Sequence, residues 1–329
     1  MANITAKQVN ELRQLTGVGM MDCKKALVEC DGDFEKAIDV LRQKGQKMAA
    51  KRADRDANEG CVLAKSNGNY GAIIMLSCET DFVATNAGFI DFTNMILDNA
   101  MAKHLTTKDE VLAMTTENGT IADQITDQVG KIGEKIELAH FEAIEAPAVY
   151  AYVHPGNRMA SIVGMSKPGF DEASHAIAMQ VVAMRPIAVD ADGVAQEVKD
   201  KEYNVAIEKT KEELVGKAVD AALKKAGINP AHVDSEEHIN SNIAKGWLTE
   251  EQGQQAREIK ETVAAEKAAQ LNMKQIEQIA NGRVAKFLKE NTLMDQEYIM
   301  ESKMIVKDYL KSIDADLKCT GFKRLELGA

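Results

Sequence analysis

The tetrapeptide Thr80-Asp81-Phe82-Val83 places a carboxylate directly beside a large aromatic side chain. It follows residues 72–76, an apolar run that predicts a β-strand, so the pair lies where that strand should end. An unpaired carboxylate is costly to bury, and a turn that leaves Asp81 in water would also project Phe82 outward. An exposed phenylalanine can bury about 150–250 Å² in a partner's pocket. The alternative is that Phe82 packs into the protein's own core, because phenylalanine is mostly buried.

A second candidate contact is formed by Met20 and Met21, which follow the segment Gly17-Val18-Gly19. The two glycines loosen the turn between neighbouring helices, and flexible thioethers suit an adaptable protein-binding surface. Methionine is also common in cores, so packing of at least one of the two inside the helices is the other interpretation.

Catalytic, metal and nucleotide motifs are not recognised. Cys78 lies near Glu79 and Asp81, and nearby carboxylates raise a thiol pKa, which disfavours a nucleophile. The six histidines have no spacing typical of metal sites. Residues 17–19 lack the rest of a dinucleotide fingerprint, and no phosphate-loop Gly-Lys-Ser/Thr follows them. We therefore expect no enzyme activity, no bound metal and no cofactor in this chain.

Composition limits the class of partner. With 329 residues, 45% of them hydrophobic, the chain can form two or three domains. A net charge of -11 argues against a nucleic-acid backbone as the main partner, so protein partners are expected. No apolar stretch reaches the roughly 20 residues of a membrane span, and the start lacks a signal-peptide pattern, so a cytoplasmic location is expected. The five cysteines, odd in number and scattered, indicate reduced thiols.

Residues 42–55 carry six cations among small residues: Arg42, Lys44, Lys47, Lys51, Arg52 and Arg55. Without interleaved aromatic side chains this is a weak nucleic-acid signal, and it favours a solvated face or contact with an acidic partner. The stretch is interpreted as a linker or an exposed helix end.

The N-terminal segment predicts a three-helix bundle. Thr5 and Gln8 match a capping box, and Gly17 lies where the first helix should end. The predicted apolar face of this helix consists of Val9, Leu12 and Leu15. A second helix is predicted from Met20 to Cys30, and Asp33 caps a third with an apolar face. About 45 residues bury little surface, which suits a binding module attached to a larger core. We assign residues 1–55 to this module, which is similar to a ubiquitin-associated (UBA-like) fold.

The core predicts two related α/β halves with small antiparallel sheets, which makes the fold class α+β. Asn67-Gly68 predicts a hairpin with a type I′ turn between two strands, followed by helices and a strand from Ile136. The order then recurs from Ala148. The first half is assigned to residues 56–146, and the second to residues 147–192 with 292–329.

Residues 193–291 are alanine-rich and charged, and they predict an inserted helical arm. Breaks are expected at Gly227–Pro230 and at residues 246–249, followed by one return helix that carries Ile259 to Phe287. The pattern favours an antiparallel coiled coil, through which the chain could form a homodimer.

The motif Thr16-Gly17-Val18-Gly19-Met20-Met21-Asp22-Cys23-Lys24-Lys25-Ala26-Leu27, together with residues 80–83, closely resembles the signature of bacterial elongation factor Ts. Shorter matches are Gly68-Asn69-Tyr70-Gly71, Lys131-Ile132-Gly133-Glu134, Tyr152-Val153-His154 and Gly321-Phe322-Lys323-Arg324-Leu325-Glu326. This family comprises nucleotide exchange factors for elongation factor Tu.

The resemblance implies a function and a set of site residues. The chain would bind GDP-bound elongation factor Tu, and Thr80, Asp81, Phe82 and Val83 would dislodge its Mg²⁺, with Phe82 as the wedge. Further partner contacts would come from the following residues: Leu12, Met20, Met21, Ile132, Gly133 and His154. The nucleotide would belong to the partner.

A function of a different class stays open. The N-terminal bundle could bind a peptide and the arm could oligomerise, which would make the chain an adaptor or scaffold. The two functions differ in whether Phe82 matters for release of the partner's nucleotide.

Overall fold

The structure is a computed structural model that describes residues 4–328, and it combines helices with small antiparallel sheets. The α+β class is therefore confirmed. By contacts the chain forms two compact units. One is Asp190–Thr292, and the other comprises the described residues on either side of it. The finer division with boundaries at residues 55, 146, 192 and 291 stays our proposal.

The N-terminal module consists of α1 (Ala6–Thr16), α2 (Met20–Glu29) and α3 (Phe34–Arg52). The predicted capping box is present: the Thr5 N–H donates to Gln8 Oε1 at 2.9 Å, and the Gln8 N–H donates to Thr5 Oγ1 at 3.3 Å. Gly17 ends α1 with a φ of 70°. The basic stretch of residues 42–55 is mostly helical, since α3 continues to Arg52. The resemblance of this module to a UBA-like fold stays a prediction.

The first half contains, in chain order, β1 (Glu59–Asn67), β2 (Tyr70–Cys78), α4 (Asp81–Ala84), α5 (Ala87–Ala102), α6 (Lys108–Ala113), β3 (Thr115–Thr116), β4 (Gly119–Thr120), α7 (Ile121–Ile132) and β5 (Ile136–Glu145). Its main sheet has the order β1-β2-β5, and all its strand pairs are antiparallel. The hairpin loop is Gly68-Asn69, and of these two only Gly68 has positive φ, at 64°. The predicted type I′ turn was wrong, because that turn needs positive φ at both central residues, whereas glycine in the first position fits type II′.

The chain continues through β6 (Ala148–Val153), β7 (Met159–Met165) and α8 (Asp171–Met184), then α9 (Gln196–Lys225), α10 (Glu236–Ala244), α11 (Glu250–Ala269) and α12 (Met273–Asn291), and finally α13 (Val306–Ile313) and β8 (Cys319–Glu326). The second sheet has the order β6-β7-β8 and is also antiparallel. Each half is thus a hairpin followed by helices and a last strand, as predicted, and the structure places that last strand beside the hairpin's second strand. Residues 306–313, which the sequence patterns did not single out, form α13.

The two sheets pack face to face. Alternate side chains of β2 explain its continuous apolar run: Ile74 and Leu76 face the helices, whereas Ile73 and Met75 face the second sheet. The core of the first half is completed by α5 and α7, and that of the second by α8 and α13. Every residue of β2 is buried.

Within the unit Asp190–Thr292, α9 packs along both α11 and α12. The predicted single return helix was wrong, because α11 ends at Ala269 and α12 begins after Asn272. Asn272 Oδ1 accepts the Gln275 N–H at 3.3 Å, so this asparagine caps a new helix. A separate small core holds Val219, Leu223, Ile228, Val233, Ile239, Leu248 and Ala256. The description of this pairing as a coiled coil stays a prediction.

Candidate functional site

The exposed aromatic lies on a single helical turn at the end of β2. The strand ends at Cys78, and α4 starts at Asp81. Phe82 is 84% exposed, and Asp81 beside it is exposed as well. Of the two interpretations, the outward-facing aromatic is therefore the one that the fold adopts.

The inner side of this turn is well anchored. The Ala84 N–H donates to the Thr80 carbonyl at 3.2 Å, and Thr85 donates to the Asp81 carbonyl from its N–H at 3.0 Å and its hydroxyl at 2.8 Å. Val83 packs against the core of the first half, and Ala84 belongs to it. The turn thus buries one side and leaves Phe82 in water without loosening the backbone.

Two loops meet beside the turn and exchange hydrogen bonds. Glu134 accepts the Thr80 N–H at 3.0 Å and the Thr80 hydroxyl at 2.7 Å. In the opposite direction, Glu79 accepts the Lys135 N–H at 2.6 Å. Cys78 pairs with Ile136 at the adjacent ends of β2 and β5, so the bonds continue the strand pairing beyond the sheet.

Glu79 also joins this region to the end of α3. Its carboxylate accepts from Arg52 Nη1 at 2.8 Å and from Arg55 Nη1 at 2.9 Å, and its side chain is 17% exposed. The bond from the Lys135 N–H, followed by those from Arg55 and Arg52, lowers the pKa of Glu79 to about 2. The carboxylate is therefore ionised at neutral pH.

The predicted residues Ile132 and Gly133 lie at the end of α7, directly before Glu134. Ile132 is 37% exposed, and Gly133 ends α7 with a φ of 80°, which favours glycine. The structure thus brings them next to the Phe82 turn.

His154 reaches the same end of the first sheet from the second half. It is exposed on the turn between β6 and β7, and its Nδ1 lies 2.9 Å from the Tyr152 hydroxyl. The Asn157 carbonyl of that turn accepts the Val62 N–H of β1 at 2.7 Å, and Arg158 pairs with Glu59. Because Glu59 pairs with Cys78, this hairpin adjoins the strand end that leads to Phe82.

The predicted residues of the N-terminal module separate into two groups. Met20 and Met21 are 53% and 65% exposed, so the interpretation that one of them packs in the core was wrong. Leu12 is fully buried in the bundle core, which corrects its prediction as a partner contact, because its side chain has no surface to offer. Leu15, 67% exposed, was assigned to the apolar face; three-residue steps drift around a helix of 3.6 residues per turn and carry it to the surface.

The module is seated on the first half through a close helix crossing. Gly45 of α3 faces Gly130 of α7, where a Cβ on Gly130 would lie 3.1 Å from the Gly45 Cα. Further along α3, Met48 and Ala49 pack against the core of the first half. α3 therefore packs both within the N-terminal module and against the first half, and its last turn brings Arg52 to Glu79.

The buried thiol of Cys78, near the site, lies in an environment that lowers its reactivity. Burial, and then the charge of Glu134, raise the pKa of Cys78 to about 12. The predicted direction of this pKa shift is confirmed, with burial as the larger cause.

Within residues 4–328, no helix is long and apolar enough to cross a membrane. Across the same part of the chain, no group of three or more His, Cys, Asp or Glu side chains is arranged to hold a metal ion.

Fold and site together define an α+β protein with two related halves, a helical N-terminal module and an exposed aromatic turn at the end of its first sheet. A family model described as Elongation factor TS matches residues 79–220 and 211–329. An Elongation factor Ts from Phocaeicola vulgatus is 52% identical over 327 residues, and one from Parabacteroides distasonis is 53% identical, each alignment covering 99% of both chains. A more distant Elongation factor Ts, from Christiangramia forsetii, is 40% identical over 332 residues and 100% of both chains. The chain belongs to the elongation factor Ts family of translation elongation factors.

Proposed function

We propose that this protein is a guanine nucleotide exchange factor that binds GDP-bound elongation factor Tu, dislodges its Mg²⁺ and promotes GDP release so that GTP can bind. The observation that carries the proposal is the 84% exposure of Phe82 on an anchored turn. A large apolar side chain held in water by a stable backbone loses little entropy when it enters a partner's pocket.

Each predicted site residue has a role in this proposal. Phe82 is the wedge, and Asp81 is its polar neighbour, while Thr80 and Val83 hold the turn. Additional contacts come from these exposed positions: Met20, Met21, Ile132, Gly133 and His154. Leu12 supports the module from its core.

The mechanism is physical and needs no covalent step. Mg²⁺ links the partner's nucleotide phosphates to protein oxygens, so its displacement removes much of the electrostatic hold on GDP. Each 1.4 kcal/mol removed from the release barrier accelerates release about tenfold. The coupling is reciprocal, so nucleotide rebinding weakens the grip of the exchange factor and lets it recycle.

Release of fluorescent GDP from the cognate elongation factor Tu, followed by stopped flow, tests the proposal. We expect the wild-type chain to accelerate release. Fully burying a phenylalanine is worth about 1.5–3 kcal/mol, so Phe82→Ala should lower the acceleration roughly 10- to 150-fold. Trp247→Ala, which removes a 63% exposed aromatic outside the site, is the matched control and should leave release unchanged.

The same assay separates the adaptor or scaffold function. Binding without faster GDP release, insensitive to Phe82→Ala, would refute exchange and favour the scaffold. The proposed role also implies a cytoplasmic location and no direct nucleic-acid contact. A homodimer through the arm is proposed as well, and light scattering over a range of concentrations would detect it.

A further inference from the structure

The hydroxyl of Thr80 does not form the helix-capping bond that its position favours. Thr80 is the N-cap residue of α4, yet its side chain makes no capping bond to the helix. A threonine at an N-cap ordinarily accepts a backbone N–H of the first turn. Here the hydroxyl donates to Glu134 at 2.7 Å instead. The turn that carries Phe82 thus forgoes a local cap for a bond to a distant loop.

The loop that contains Glu134 donates a bond of the same kind to Glu79. Glu134 precedes Lys135, whose N–H is bound by Glu79, and Glu79 precedes Thr80, whose N–H is bound by Glu134. Two backbone donors just outside paired strands are therefore each satisfied by a carboxylate from the opposite loop. Hydrogen bonds to ionised acceptors are shorter and about twice as strong as neutral ones. This reciprocal arrangement leaves the turn little room to reorient.

The pair is also tied to the N-terminal module. Arg52, at the end of α3, and Arg55 just beyond it bind both oxygens of Glu79. Lys135 adds a bond from its Nζ to the Arg55 carbonyl at 2.9 Å. The module and the Phe82 turn are thus connected through one carboxylate.

We propose that Glu134 and Glu79 are positioning residues, which lock the Phe82 turn to the loop of residues 132–135 and to the end of α3, so that the aromatic is presented in one fixed orientation. The expected effect on nucleotide exchange rests on the proposed function, whereas the locking of the Phe82 turn does not. The tests below separate these two parts.

Hydrogen exchange of the free full-length protein tests the locking. In Glu134→Gln the amide group places an N–H donor where one acceptor oxygen stood, and in Thr80→Val the hydroxyl is replaced by a methyl of similar shape. We expect the hydrogen-bonded amides of this segment, which are those of Thr80, Ala84, Thr85 and Asn86, to exchange about tenfold faster or more in each variant, since each variant loses a charge-assisted bond. Thr80→Ser keeps both donors and should restore slow exchange. Thr262→Val removes a hydroxyl bonded only to the Glu258 carbonyl of its own helix, and it should change nothing in this segment.

GDP release against the concentration of this protein tests the consequence. A positioning role predicts a plateau rate about tenfold lower for Glu134→Gln and Thr80→Val, with the half-saturating concentration changed less than about threefold, and recovery in Thr80→Ser. The double variant Thr80→Val with Glu134→Gln should be no slower than Glu134→Gln alone, because the hydroxyl bond that Thr80→Val removes is one of the two bonds that Glu134 accepts from Thr80. Glu79→Gln should lower the plateau in the same way.

The outcomes are distinct. The proposal is overturned if hydrogen exchange at residues 80–86 is unchanged in the variants. It is also overturned if the effects of the two substitutions multiply in the double variant, or if hydrogen exchange becomes faster while the plateau rate of GDP release is unchanged. If the wild-type chain does not accelerate GDP release at all, the proposed function fails, and hydrogen exchange alone then supports or overturns the locking.

Discussion

The short distance between Gly45 and Gly130 decides whether an alanine at position 130 stabilises or destabilises the protein. In most helices Gly→Ala stabilises by roughly 0.5–1 kcal/mol, because alanine loses less conformational entropy. At Gly130 the new Cβ would lie 3.1 Å from the Gly45 Cα, closer than carbon atoms pack at their optimal 3.5–4.0 Å. The atom met is backbone, so a rotamer change cannot relieve the overlap.

The magnitude follows from these two opposed terms. Overpacking of this kind costs about 1–3 kcal/mol, which exceeds the propensity gain. We expect Gly130→Ala to lower the opening free energy of α7 by up to about 2 kcal/mol. Gly282→Ala is the matched control, since it lies in α12 with no atom within 4 Å of its Cβ. That variant should raise the opening free energy of α12 by about 0.5–1 kcal/mol.

Native-state hydrogen exchange is the suitable assay, because it reports each helix separately and does not require the two compact units to unfold together. The two variants should differ by at least about 1 kcal/mol, or roughly fivefold in protection. If the helix crossing opens, Arg52 also moves from Glu79, and residues 80–86 should lose protection in Gly130→Ala. Equal stabilisation by both substitutions would refute the reasoning.

Three further predictions concern single side chains. Glu79 has a lowered pKa, so its stabilising effect should be complete above its ordinary pKa of 4.5 and be lost as the pH falls toward about 2. The Tm difference between wild type and Glu79→Gln should shrink over that range, and a constant difference would contradict it. Leu12→Ala should destabilise the N-terminal module by about 2–5 kcal/mol, whereas Leu15→Ala should cost less than about 0.5 kcal/mol, as measured by hydrogen exchange of α1. Burial raises the pKa of Cys319 to about 12, so iodoacetamide should modify this thiol much more slowly in the native protein than in urea, and similar rates would disprove its protection.

Local patterns in the sequence were enough for much of the fold. The capping boxes at Thr5, Thr107 and Thr249 each form as their residue types predict, since both partners lie within one helical turn. The apolar run of β2 likewise predicted a buried strand and thus where the chain would leave the sheet. The family signature at residues 80–83 also identifies Phe82 as a candidate contact residue.

Other features depend on contacts that no local pattern encodes. The local sequence leaves open whether Phe82 faces water, and the fold decides it by burying Ala84 in the core and packing Val83 against that core. The burial of Leu12 and the exposure of Leu15 depend on which helix faces meet, and periodicity assigned both to one face. The helix break before α12 depends on Asn272, and a residue type that can cap a helix does not by itself predict that a helix begins there.

Local interactions encoded in the sequence specify most of the elements and the motif at the strand exit, because helix caps, strand alternation and turn residues act over a few positions. How these elements form a site depends on contacts between distant parts of the chain. Thr80 and Glu134 lie 54 positions apart in the chain, and they meet because β2 and β5 pair with Cys78 opposite Ile136 at their adjacent ends. His154 reaches the same sheet end because its hairpin packs on β1. Such pairings follow from the burial of whole surfaces, and the free energy that selects them is distributed over the core rather than carried by any short segment.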